Sequence, residues 1–531
     1  MSEETAITTE EWRPSKNPWL IAAPLMIAVF MYALDETISN VALPYMAGSF
    51  SVSHTESTWV ITSYLIASGI IITTSDFFCK LMGRNNYFMF SLLLFTVASF
   101  LCGISNSIGM MIISRFLQGL GGGGILPLTQ AIMLESFPLK QRAQAMAMFG
   151  LGVIVAPIVG PALGGWITEN WSWPFIYFIN IPFGIFVLSI APSLLEEPPY
   201  ARKQKNVTMD YIGFFFLTIW LVAFQVFLDK GNDADWFGAT WICWTFGISM
   251  TAFLLFIISQ VVNKKNALVD LEILKDKNYL FGTIIQVFLM GAMMGSAAML
   301  PSMLQQMMGY TSFLSGLSMV PRGAGCLVAT IINATITPIV GEKPIVVVGL
   351  LILGAGSLAF GEINLQIALA NIALPNFLFG MGMVMALVPL INLSCCTLRN
   401  EQLTNASGVQ NLFKNIGAAI GTSIVTTCVS RFSQIHQYML VGKLRDTNSV
   451  FVERIQAMTG SFSGLTDHAT ATYMAMTQTY QQLVQQSHLW AYIDTFRWFA
   501  VASFAILPLM LLVRSPKALT KELEAKHIKI D

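Results

Sequence analysis

Charged side chains buried in long apolar runs are the residues of this 531-residue chain whose chemistry most needs an explanation. Asp35 and Glu36 stand inside the apolar run 19–46, Arg115 inside 108–134, Arg322 inside 312–338 and Lys414 inside 404–430. Ionisable groups in hydrocarbon are costly, so they face a cavity, a partner or both. Asp76 and Glu135 lie towards the cytoplasmic ends of their runs, and Asp494 and Arg497 towards an outer end. At about 1.5 Å of rise per residue, Asp35 falls roughly 16 Å below the outer end of its run and Arg115 roughly 10 Å below the outer end of the fourth. Similar depth lets the carboxylate and the guanidinium pair, each lowering the other's desolvation cost. Such a pair either senses protonation inside a transport cavity or acts as a static lock between two helices. Glu36, adjoining Asp35, favours the first, because two like charges side by side are relieved when one takes a proton.

Other chemistries find little support. The run Gly119–Gly124 (GLGGGG) lacks the Lys-Ser/Thr of a phosphate loop, follows no strand and sits within an apolar run. There is no H-E-x-x-H and no G-x-S-x-G. His54, His436, His468, His488 and His527 all lie in loops or a tail, so no intramembrane metal site is expected, and no cofactor. The seven cysteines form no C-x-x-C pair and read as small packing residues. The chain is therefore not expected to be an enzyme.

The elements that must position these charges are membrane helices. Hydrophobic residues make up 55% of the chain and charged ones only 11%, against about 25% in a soluble domain. The net charge of zero gives no reason to expect nucleic acid. A span needs about 20 apolar residues. Runs of that kind fall at 19–46, 57–78, 87–104, 108–134, 143–167 and 174–193, then 211–228 and 238–262, then 279–307, 312–338, 344–361, 366–392, 404–430 and 489–513, about fourteen in all. They are too long and too uniformly apolar for barrel strands, so an all-α membrane protein is predicted. Most Lys and Arg fall on the side of the N-terminus (Arg13, Lys80, Arg84, Lys140, Arg142, Arg202, Lys264, Lys343 and Lys517 among them), which places both termini in the cytoplasm. The polar start of the chain reads as no cleavable signal peptide, leaving the first run as the insertion signal.

The predicted organisation is a cytoplasmic tail 1–18, a six-helix bundle 19–193, a cytoplasmic linker 194–210, a two-helix hairpin 211–262, a second six-helix bundle 263–513 and a cytoplasmic tail 514–531. The second bundle carries an outer loop 431–490, in which Phe451, Ile455 and Met458, then Tyr473, Met476, Tyr480 and Leu483, recur at helical spacing. That pattern suits either an amphipathic extension of the flanking spans or an outer docking surface. In the fifth run Gly152, Ala156, Gly160 and Gly164 repeat every four positions beside Pro157 and Pro161, giving close helix contact and a bend. Gly417 and Gly421 repeat the theme in the thirteenth run, a sign of two related halves.

At these residues the sequence resembles the major facilitator superfamily, in particular its fourteen-span drug:proton antiporters of the EmrB/QacA type. The resemblance rests on LDETISNVALP (Leu34–Pro44), RFLQG (Arg115–Gly119), APIVGPALGG (Ala156–Gly165), WSWPFIYFINIPFG (Trp171–Gly184) and DKGNDADWF (Asp229–Phe237), and runs from about Trp19 to Arg514. It implies two pseudo-symmetric six-helix bundles with an inserted hairpin, alternating access, and proton coupling through Asp35 and Arg115, with Glu36 beside them. Thr37, Asn40, Gln118, Arg322 and Lys414 are expected at the substrate cavity. Pro157, Gly160, Pro161, Gly164 and Gly165 form the antiporter motif that bends the helix and seals the cavity. The cytoplasmic loop motif departs from the family, reading DFFCKLMGRN (Asp76–Asn85), where Gly83 and Arg84 survive; a charge lock there would need another construction, such as Asp76 with Arg84 or Arg142.

The function implied is proton-coupled export of hydrophobic or amphipathic drugs across the cell inner membrane, with 29 Met and 37 Phe as an adaptable lining. Export of an endogenous metabolite such as a fatty acid or siderophore is the alternative. A receptor or scaffold would not need deep charges or a Pro-Gly helix. The resemblance is closest to members that deliver substrate to a periplasmic adaptor (a membrane fusion protein) and an outer-membrane channel, with 431–490 as the candidate contact.

Overall fold

The computed structural model of the chain describes residues 14–137, 139–198, 202–203, 210–263, 268, 271–398, 403–445 and 447–514. No strand occurs among them. The long helices are α1 (Pro18–Phe50), α2 (Trp59–Met82), α3 (Arg84–Gly103), α4 (Ile108–Ser136), α5 (Leu139–Asn170), α6 (Asn180–Leu194), α7 (Tyr211–Gly231), α8 (Thr240–Val262), α9 (Lys277–Met308), α10 (Val320–Val340), α11 (Glu342–Ala359), α12 (Leu369–Cys395), α13 (Leu403–Val441), α14 (Ser449–Phe462) and α15 (His468–Ile506). Each apolar run predicted from the sequence falls on one of these, α14 being the extra element. Eleven helices are long and apolar enough to cross a membrane, and the Trp59–Ser75 part of α2 is a shorter apolar helix. The chain is a multi-pass membrane protein.

By internal contacts the chain divides into two units. The first comprises residues 1–226, 244–271 and 407–412, the second 227–243, 272–406 and 413–531. The core of the first is built from Leu25, Ile38, Phe88, Phe95, Ile176 and their neighbours. That of the second is built from Leu289, Leu300, Leu353, Phe379, Phe496 and theirs.

Glycine sets how closely these helices approach. In the first unit α4 lies against both α2 and α3. A Cβ on Gly119 would strike the Tyr64 carbonyl of α2, and one on Gly123 would lie 2.7 Å from the Ser68 carbonyl; one on Gly121 would lie 2.5 Å from the Phe95 nitrogen of α3. The GLGGGG run is thus a packing surface that serves two neighbours at once, one face at the 119/123 spacing and another at 121/124. The second unit repeats the arrangement. There α12 lies against α10 and α11, with Gly380 against the Arg322 carbonyl and Gly382 against Leu353 and Gly349. The segments correspond in sequence as well: RFLQG (Arg115–Gly119) in α4 matches NFLFG (Asn376–Gly380) in α12.

The outer loop is helical through most of its length. α13 continues to Val441 and α15 begins at His468, with α14 packed on α15 between them. Of the stripe Tyr473, Met476, Tyr480 and Leu483, the first three are exposed and Leu483 is buried, in line with Ala471, Ala475 and Thr479. Small side chains let α14 approach along that line, with Ile455 and Thr459 as its own buried residues.

Candidate functional site

Asp35 sits at the middle of α1 with no solvent exposure, enclosed by residues from four other helices. Its Oδ2 accepts from Arg115 Nη1 at 2.6 Å. Its Oδ1 accepts from Gln118 Nε2 and from Asn180 Nδ2, both at 2.9 Å. The i, i+3 spacing of Arg115 and Gln118 puts both on one face of α4, where Arg115 Nη1 also donates to Gln118 Oε1 at 2.7 Å. Arg115 Nε reaches the Val60 carbonyl at 3.1 Å. Gln118 Nε2 and Asn180 Nδ2 share the Ser99 hydroxyl at 2.8 and 3.4 Å, and the Cys102 thiol donates to Gln118 Oε1 at 3.5 Å. The guanidinium lies over the Tyr64 ring, 4.2 Å from its centroid, with Tyr177 at 5.5 Å. Cation–π attraction thus replaces part of the hydration that this charge has lost. The sequence placed Asp35 and Arg115 at matching depth and the structure brings them together. Ser99, Tyr64 and Cys102 were not foreseen. Asn180 stood in the Trp171–Gly184 pattern with no role given.

The residues beside Asp35 on α1 divide by face. Glu36 and Asn40, one turn apart, are half-buried, and Glu36 forms no ion pair or hydrogen bond among the described residues. Thr37 is buried, its hydroxyl turned back on the Leu34 carbonyl at 3.2 Å, and it packs against Gly160. Gly160 and Gly164 meet Thr37 and Ile38 so closely that a side chain at either position would force those α1 residues to shift. Pro157, Pro161 and Gly165 continue α5 along the same stretch. Gln118, expected at the cavity, belongs to the Asp35 cluster itself.

At the α2–α3 turn Gly83 adopts φ +85°, a conformation that favours glycine, and a Cβ there would lie 2.8 Å from the Glu197 carboxylate. Arg84 pairs with Glu135 of α4 at 2.5 Å. The side chains of Asp76 and Arg142 lie outside the described residues.

In the second unit Arg322 is 8% exposed. Its Nε donates to Asn376 Oδ1 at 3.1 Å and its Nη1 to the Ser296 hydroxyl at 3.0 Å, and the guanidinium lies 4.6 Å from the Phe379 centroid. Lys414 is half-buried in α13. Neither forms an ion pair with a carboxylate among the described residues.

Helices of this number, in two units that repeat a glycine-packed arrangement with an arginine buried in each, are the architecture of membrane transporters built from related halves. Among solved structures, a bacterial homolog of the human lysosomal transporter Spinster in an inward-facing and occupied conformation has the same fold, with a TM-score of 0.55, 16% identity, and coverage of 94% of this chain and 98% of that one. The family model of the Major Facilitator Superfamily matches residues 25–422, and the chain belongs to that superfamily. Curated relatives agree. The fatty acid resistance protein FarB of Neisseria gonorrhoeae is 30% identical over 503 residues, 93% of this chain and 96% of that protein. The multidrug export protein EmrB of Escherichia coli (strain K12) is 30% identical over 498 residues, 92% of this chain and 93% of that protein.

Proposed function

We propose that the chain is a proton-coupled antiporter that exports hydrophobic or amphipathic compounds, drugs among them, by alternating access of its two six-helix bundles. The observation that carries this reading is the fully buried Asp35–Arg115 pair with Glu36, a half-buried carboxylate, at the next position of α1. Asp35 is held by a guanidinium and two amides while its neighbour Glu36 has no such donors among the described residues, and the two acids with Arg115 act as one coupled unit. Relatives named for multidrug export, colistin resistance and fatty acid resistance support export of toxic amphiphiles and a part in antibiotic resistance. The name of FarB also supports the second reading, that the natural cargo is a fatty acid.

The chain is assigned to the cell inner membrane with both termini cytoplasmic, and α14 with the outer part of α15 is the contact for a periplasmic adaptor that leads to an outer-membrane channel. Everted vesicles test the coupling. A pH gradient should drive accumulation of an amphipathic dye by the wild type, and Asp35→Asn should abolish it while the protein still inserts. Glu36→Gln should suppress proton release on substrate addition. Gradient-driven export by both variants at the wild-type rate would remove the proton-coupling assignment.

A further inference from the structure

We propose that Arg322 is an anion-binding site for the acidic head group (sulfonate, carboxylate or phenolate oxygen) of an amphipathic substrate. The proposal rests on the export reading above and adds to it a chemical class of cargo and the residue that recognises it.

The site is built rather than incidental. Arg322 is nine-tenths buried, in the first turn of α10. Its two hydrogen-bond partners are themselves fixed. Asn376 Nδ2 donates to the Ser318 carbonyl at 2.9 Å, which turns Oδ1 towards Arg322 Nε. The Ser296 hydroxyl donates to the Met293 carbonyl at 3.0 Å, which leaves its lone pair for Arg322 Nη1. Both partners are neutral, so they orient the guanidinium without cancelling its charge. The remaining nitrogen, Nη2, is buried and has no hydrogen-bond partner. A planar guanidinium with one donor edge held and the other free matches an anionic oxygen.

The repeat between the units gives a second, independent line. Gly119 packs on the Tyr64 carbonyl and Gly380 on the Arg322 carbonyl, so Arg322 in the second unit stands where Tyr64 stands in the first. Asn376 likewise stands where Arg115 stands. In the first unit the arginine at this helix contact has its carboxylate, Asp35. In the second the arginine has crossed to the opposite helix and faces an amide and a hydroxyl instead. A buried cation left without a counter-charge is strongly destabilising, and an anionic ligand would relieve that cost when it binds. The surroundings select the rest of the ligand. The guanidinium lies against the Phe379 ring, and Met293, Met299 and Met303, on the same face of α9 as Ser296, belong to the adjoining apolar core, whose flexible side chains suit a hydrocarbon body better than a hydrated inorganic ion.

The test uses two probes with the same tail and fixed, opposite heads, 1-decanesulfonate and decyltrimethylammonium, whose charge does not change with pH. Purified full-length protein in proteoliposomes is assayed for binding of each and for gradient-driven transport. The expected result is that Arg322→Gln weakens decanesulfonate binding and raises its KM by about tenfold or more, with a several-fold smaller effect on decyltrimethylammonium, whose head offers the guanidinium no acceptor. Arg322→Lys, which keeps the charge and loses the fork, should recover part of the loss. Continued transport of the ammonium shows that the variants are folded. Equal loss on both probes, or unchanged decanesulfonate affinity in Arg322→Gln, overturns the anion site. A wild type that exports the ammonium but neither binds nor exports the sulfonate overturns the anion site alone. A wild type that exports neither overturns the export reading and this proposal with it.

Discussion

Replacing Asp35 by asparagine tests how the charge cluster is held together. The wild-type carboxylate offers two acceptor oxygens, Oδ1 to Gln118 and Asn180 and Oδ2 to Arg115. Asparagine offers one oxygen, and its amide turns N–H groups towards donors on the other side. Each donor stranded in this way costs about 1–3 kcal/mol. The guanidinium, fully buried over Tyr64 and left without its anion, costs more: breaking such a pair from one side destabilises by about 3–5 kcal/mol. Arg115→Gln should cost less, because Asp35 keeps Gln118 and Asn180 as donors at 2.9 Å. The double variant removes both charges, so its loss should fall short of the sum of the two single losses by about 2–3 kcal/mol. Thermal unfolding of the detergent-purified protein at fixed detergent and salt measures the cycle. Additivity within about 0.5 kcal/mol would show that the two side chains are not energetically coupled. A large coupling with export retained in the double variant would make the pair a lock between α1 and α4, not part of the coupling chemistry.

Three further outcomes are expected. Gly421→Val places a side chain against the Gly291 backbone and should cost about 1–3 kcal/mol in thermal stability, whereas Gly247→Ala, with open space around it, should be near neutral. The Glu196 carboxylate is held below its ordinary range by the Ser15 side-chain and backbone hydrogen bonds, so the tie between residue 15 and the end of α6 is present above that range and is lost as pH falls through the lowered value. Deuterium uptake over residues 14–20, corrected for intrinsic exchange, should rise on acidification and, at neutral pH, in Glu196→Gln. Deleting residues 443–470 removes α14 and should abolish capture of the periplasmic adaptor with transport in vesicles intact; capture that persists would exclude this segment as the essential contact.

The elements of the fold were legible in the sequence because hydrocarbon enforces its own ruler: a run of apolar residues has to be a helix, and a charge inside it has to be met. That is why Asp35 and Arg115 could be matched by depth alone. What depth does not say is which helices are neighbours, and so Ser99, Tyr64 and the role of Asn180 stayed hidden until the packing of α2, α3 and α6 was known. Boundaries ran long for a related reason. α15 begins at His468, many residues before the apolar run at 489, because a polar helix continues into water without an apolar signal. Of the Tyr473, Met476, Tyr480 and Leu483 stripe only Leu483 is buried, because the buried line of α15 runs through Ala471, Ala475 and Thr479, small residues that contribute little to an apolar pattern. In α12 the likeness of NFLFG to RFLQG was present in the sequence, but the change of Arg to Asn at its first position conceals it unless the shared glycine contact is seen.

The glycines and the arginine of α4 also bear on how the chain is made. Arg115 is fully buried in α4, and an arginine carried into hydrocarbon adds up to about 2.5–3.5 kcal/mol to the cost of leaving the translocon for lipid. The relief for that charge, Asp35, is 80 residues upstream and already synthesised when α4 emerges. The closely fitted glycine faces are shaped to α2 and α3, which also precede it. The cost of inserting α4 is therefore expected to fall when α1 to α3 are already in place, since they present the carboxylate and the faces on which it packs.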